Sequence, residues 1–189
     1  MHICQHRDTY TNRQALSPPR TLSEIQEITS SPVNDIAVLD PTLIPVQIIY
    51  QLLVNELNAN IQLEFGVQSI IKKESLVIQR MNNLNSVKEN SSLLRKNNIK
   101  FEISLIYRLP HQTVESFKES IEFAKTLGAE KVLLGFNVIE SELPRERISE
   151  GIPHVVESPT FTKGEWREMM RIANELKVYV KVIHLLYCI

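Results

Sequence analysis

The sequence predicts an α/β protein built on a parallel sheet. Apolar and amphipathic segments alternate over residues 61–136 in the order strand, helix, strand, helix, strand, the signature of parallel βαβ units. The helical segments carry start and stop signals at their ends. The chain has 189 residues, 43% hydrophobic and 23% charged, which fits one globular domain or one domain with a tail.

In chain order, the first 33 residues read as irregular, because Pro18-Pro19 blocks regular structure. Thr21-Leu22-Ser23-Glu24 has the form of a capping box opening a short helix. Asp35-Ile36-Ala37-Val38-Leu39-Asp40 is a compact apolar run closed by Asp40-Pro41, a buried strand with a turn after it. Pro45 suits a first helical turn, and Ile48, Leu52, Leu53 and Leu57 form a helical stripe. Ile61–Val67 reads as a strand, and Leu84, Val87 and Leu94 as one side of a helix ending at Asn97-Asn98. Ile99–Ile106 alternates as a second strand. Thr113 caps a helix carrying Phe117, Ile121, Ala124 and Leu127, with Gly128 just past its end. Lys131–Phe136 is the next strand. Residues 141–159 read as loop, Thr162-Lys163-Gly164-Glu165 as a capping box opening a helix to about Leu176, and the apolar end, from Val178 on, as a final strand or a tail.

Charge and composition exclude several functions. Lys and Arg number 21 against 22 Asp and Glu, a net charge of -1, which argues against a polybasic nucleic-acid binder. No apolar run approaches the roughly 20 residues of a membrane-spanning helix, and the N-terminus has no signal-peptide core. The two cysteines, Cys4 and Cys188, exclude a disulfide framework and suit a reducing compartment, so a cytoplasmic location is expected. With five glycines, a phosphate-cradling loop is nearly excluded; neither GxGxxG nor GxxxxGK[ST] is present, nor HExxH or GxSxG. His2, Cys4 and His6 could be read as a zinc set, although incidental histidines at a chain end explain them more simply. In a parallel sheet ligands gather at the C-terminal ends of strands, which directs attention to Asp40, to Gln68-Ser69 and to Tyr107-Arg108-Leu109-Pro110.

Those strand ends carry one specific resemblance. Leu63-Glu64-Phe65-Gly66-Val67-Gln68-Ser69, then Arg80 twelve residues after Gln68, then Ile103-Ser104-Leu105-Ile106-Tyr107-Arg108-Leu109-Pro110-His111-Gln112-Thr113, together resemble the radical SAM superfamily, especially its cobalamin-associated branch. Val38-Leu39-Asp40-Pro41-Thr42 is similar to a strand end of the same branch, and the likeness covers residues 1 to about 175. The resemblance implies a partial (β/α) TIM-type barrel, a [4Fe-4S] cluster and S-adenosylmethionine as cofactors, and radical catalysis on an unread substrate. It places Cys4 as a cluster ligand and implies cofactor-binding roles for Asp40 (the amino group), Gln68 and Ser69 (the ribose and its surroundings), Arg80 (the carboxylate) and Ser104 (the ribose). Against each stands an ordinary alternative: an Asx turn at Asp40, strand-end polar pairing at Gln68-Ser69, a solvated Arg80, a packed Ser104. Glu64 is open between the barrel interior and the surface, and Trp166 reads as core.

Departures from the family are equally specific. Met1 stands where a second cluster cysteine belongs, the first is absent, and Arg108 replaces a glycine expected to permit a tight turn or close cofactor approach, where a long cation could obstruct the site. The chain therefore reads as a truncated or degraded copy, or as one whose true start lies upstream of Met1. It divides into a cluster-loop and connecting segment, 1–34, a β/α core, 35–140, and a C-terminal loop, helix and apolar tail, 141–189. Three functions follow: a radical SAM enzyme, a non-catalytic relative that binds no cluster, and a small zinc-binding protein. The expected partners are a small-molecule cofactor and an unknown substrate, with neither nucleic acid nor membrane.

Overall fold

The computed structural model describes residues 35–40, 60–78, 80–136, 145–146 and 154–175, with Ser23, Glu27 and Ser30 in addition. Four strands, β1 (Asp35–Asp40), β2 (Asn60–Gln68), β3 (Phe101–Tyr107) and β4 (Lys131–Phe136), form one parallel sheet in the order β1-β2-β3-β4. Spatial order equals chain order, as in a (β/α) barrel; a doubly wound sheet would reverse at a switch point. The described strands make an incomplete barrel.

The helices between them are α1 (Lys72–Val77), α2 (Leu84–Lys96) and α3 (Val114–Thr126), and α4 (Lys163–Glu175) follows the sheet. Each of the last three has a local reason to start. Asn83 accepts from the backbone N–H of Asn85 and Ser86, both at 3.2 Å. Thr113 and Ser116 close a reciprocal box, and Thr162 and Glu165 form the expected one. Asn98 (φ 57°) and Gly128 (φ 74°) take the left-handed conformation just past α2 and α3. Ser23 and Glu27 are helical, in keeping with a helix near Thr21; the neighbouring residues, the stripe at Ile48–Leu57 and the apolar end of the chain lie outside the described residues.

Strand period and helix period meet in one core. Leu63, Phe65 and Val67 of β2 and Phe101, Ile103, Leu105 and Tyr107 of β3 face the helices, against Val87, Leu94, Phe117, Ile121 and Ala124. Phe65 and Phe101 pack tilted at 5.9 Å, and Tyr107 stacks on Phe117 at 5.4 Å. Phe161, Trp166, Met169 and Ala173 belong to the same core, so α4 joins the sheet's helix layer. Residues 141–159, expected as loop, contain a short antiparallel pair, β5 (Arg145–Glu146) with β6 (His154–Val155), and Ser158 forms a bridge with Phe161 just beyond. No helix among the described residues is long and apolar enough to cross a membrane.

Candidate functional site

The other face of the sheet, away from the helices, carries the residues out of phase with the core: Glu64 and Gly66 on β2, Glu102, Ser104 and Ile106 on β3. Register places Ser104 directly beside Gly66, and the Ser104 hydroxyl donates to the Glu64 carboxylate. A bulge between Gly66 and Gln68 then brings Gln68 to the strand end.

Gly66 explains itself by what lies over it. A Cβ there would stand 2.2 Å from Gln68 Nε2 and 2.7 Å from Arg80 Nη2. The carboxamide and the guanidinium therefore occupy the space above the strand, and only glycine leaves it open to them. Three residues singled out in the sequence, Gln68, Arg80 and Ser104, meet around this one glycine, with Glu64 the fourth group. Gln68 is buried, and its Oε1 has no hydrogen-bond partner among the described residues. Ile78, Ile106 and Leu109 form a small apolar cluster on the same side.

Ser69 does not join that group. Its hydroxyl donates to Glu74 Oε2 at 2.5 Å and accepts from the Ile71 N–H at 3.0 Å, in a fully buried position. Asp40 ends β1 in register with the core residue Phe65, and its side chain lies outside the described residues, as does all of Cys4. His2 and His6 lie outside them too. Among the described residues no three His, Cys, Asp or Glu side chains are placed to hold a metal ion.

Arg108 corrects an expectation. It adopts φ 67°, so this position does need the conformation glycine favours. Its side chain, however, does not block the Gly66 face. The guanidinium lies 4.3 Å from the Tyr107 ring centroid and 4.7 Å from that of Trp166, and donates to the Tyr107 hydroxyl at 2.9 Å. Burial lowers its pKa to about 10 despite the nearby Tyr107, and burial raises that of Tyr107 despite the cation. Trp166 is core, as expected, and also one wall of this cation's pocket.

Two buried residues have parts the sequence reading missed. Glu74, fully buried on α1, accepts from Ser69, from Ser116 Oγ at 2.5 Å and from Gln112 Nε2 at 3.1 Å. Gln112 also donates to Ile106 O and accepts from the Leu109 N–H, each at 3.2 Å. Ile71, Glu74, Ser75 and Ile78 share the helical spacing of an inward face, the signal by which Glu74 could have been found.

No protein-family model matches the sequence, and no curated protein matches it. Solved structures do. Coproporphyrinogen III oxidase from Escherichia coli, a radical SAM enzyme, superposes with a TM-score of 0.51 at 20% identity, over 65% of this chain and 29% of that one. The radical S-adenosylmethionine methyltransferase TsrM from Kitasatospora setae, solved with its tryptophan substrate and a SAM analogue, superposes at 0.55 and 11% identity, over 84% of this chain and 40% of that one. The chain thus spans less than half the length of either. Sequential parallel strands, helices on one face and polar residues gathered at the strand ends make the described chain a part of the barrel fold that radical SAM enzymes share.

Proposed function

We propose that the Gly66 face binds S-adenosylmethionine, and that the protein is a radical SAM-type barrel whose own residues provide the cofactor's organic part with a seat. The observation that carries this is the convergence of Gln68, Arg80, Ser104 and Glu64 around one glycine, with a buried amide oxygen of Gln68 unpartnered. A buried acceptor without a donor forfeits about 1–3 kcal/mol, which a ligand N–H or O–H would return. The ligand is a zwitterion with a diol and a flat base. Arg80 suits its carboxylate through charge-assisted hydrogen bonds. The Glu64–Ser104 pair suits hydroxyls or an ammonium, and Ile78, Ile106 and Leu109 suit the base.

The cluster is a different matter. A [4Fe-4S] cubane of this superfamily is held by three thiolates, and the sequence has two cysteines, Cys4 and Cys188. The residues present do not fit it, and the chemistry assigned to this chain stops at binding.

Equilibrium dialysis of the full chain against labelled S-adenosylmethionine tests the proposal. Saturable binding of about one equivalent is expected. Loss of a charge-assisted hydrogen bond, worth about 1.5–3 kcal/mol, should weaken Arg80→Ala by about tenfold or more. Gly66→Ala should weaken binding as well, because its Cβ displaces both side chains above it. An unchanged affinity in both variants would refute the site.

A further inference from the structure

We infer that Glu74 is a positioning residue for Gln68: its buried carboxylate holds the strained turn that aims the Gln68 amide over Gly66. The inference rests on the binding role proposed for that face.

Gln68 has φ 58°, and the Ser69 N–H donates back to the Val67 carbonyl at 2.7 Å. A hydrogen bond across one positive-φ residue is a γ-turn of the rare, strained kind. Such a conformation persists when its surroundings over-determine it, and both flanks of Gln68 are fastened. On one side the Val67 carbonyl also accepts from Asn82 Nδ2. On the other, the Ser69 carbonyl accepts from Ser75 Oγ at 3.2 Å, and the Ser69 hydroxyl donates to Glu74.

Glu74 carries that hold across to another element. Its carboxylate also accepts from Ser116, in the first turn of α3, and from Gln112, in the loop after β3. The strand end bearing Gln68 is thereby tied to the strand end bearing Arg108. All three groups that meet the carboxylate are neutral donors, and no cation stands within ion-pair distance of it among the described residues. Charge neutralisation is therefore not its role. Acceptance from both sides is: Oε2 takes Ser69 and Gln112 and Oε1 takes Ser116, whereas an amide accepts at its oxygen alone, and its NH2 must face either Gln112 Nε2, a donor, or Ser116 Oγ, which then has to turn its own proton away.

The test uses the full chain with Glu74→Gln, Gln68→Ala and the two combined. Three readouts are taken: the Gln68 side-chain amide resonances in the free protein, the dissociation constant for S-adenosylmethionine by calorimetry, and far-ultraviolet circular dichroism to verify folding. Glu74→Gln should retain the fold, move the Gln68 amide pair toward its free-chain position and raise the dissociation constant about tenfold, the scale on which supporting residues act behind a binding side chain. In the Gln68→Ala background the same change should alter affinity less than twofold, since nothing remains to be aimed. Unmoved Gln68 resonances, or affinity losses that multiply across the two sites, would overturn the inference. If the unsubstituted protein binds no S-adenosylmethionine, the binding role fails, while the amide spectrum still decides whether Glu74 positions Gln68. Ser69→Ala cuts only the link between Glu74 and the turn, and should give the same spectral change if Glu74→Gln does not fold.

Discussion

The two ends of the sheet are built differently. At the N-terminal ends of β3 and β4, positive φ falls on Asn98 and Gly128, residues that adopt it at little cost, and an exposed ion pair joins Lys100 to Glu130 at 2.8 Å, with Glu102 the one buried charged side chain of β3 nearby. At the C-terminal ends it falls on Gln68, Arg108 and His111, of which Gln68 and Arg108 have no such ease. There too lie the buried Gln68, Ser69, Glu74, Arg108 and Gln112. One end follows the chain's local preferences. The other departs from them and is held by long-range hydrogen bonds. In barrels of this type the C-terminal rim carries ligands and the opposite rim carries stability, and this molecule divides its strain along the same line.

The contrast is broken most severely at Gln112. Gln112→Ala leaves the Leu109 N–H, the Ile106 carbonyl and Glu74 each short of a partner in a buried setting. A loss of about 3 kcal/mol is expected by chemical denaturation. Lys100→Ala at the other end removes an exposed ion pair with Glu130 and should stay within about 0.5 kcal/mol.

Arg108 sharpens the contrast. Arg108→Ala removes the guanidinium from between Tyr107 and Trp166, at a cost of about 2 kcal/mol, while keeping a side chain at φ 67°. Arg108→Gly loses the same contacts and is freed of the backbone strain, so it should be the more stable of the two by about 1 kcal/mol. Equal stabilities would show that the rim is not strained there.

Gly128→Ala is the smaller, converse case. It forces a side chain into φ 74° and toward Arg95 Cδ, 2.7 Å from the added Cβ, a flexible neighbour that can move. About 1 kcal/mol of stability should be lost, with S-adenosylmethionine affinity unchanged.

The difference between the rims also decides what was legible in the sequence. Strand alternation, the caps at Thr113 and Thr162 and the left-handed stops at Asn98 and Gly128 are local signals, and all were readable. The short helix α1 was not, since Ile71 offers no side-chain cap. Glu74 was missed because a glutamate following Lys72 and Lys73 has the appearance of a solvated face, and its partners lie as far as 42 residues away. The obstruction expected at Arg108 does not arise, because the direction of its side chain depends on Trp166, which only the fold brings near. Gln68, Arg80 and Ser104 could be named through the resemblance their motifs carry, but their meeting point at Gly66 needed the register of β2 with β3.

The most direct test is to follow backbone amide resonances of the full chain during titration with S-adenosylmethionine. Saturable shifts should concentrate at Glu64, Gly66, Gln68, Arg80 and Ser104, leaving Asn98, Gly128 and Glu130 still. Shifts centred on the N-terminal rim, or none at saturating ligand, would contradict a binding face at the strands' C-terminal ends.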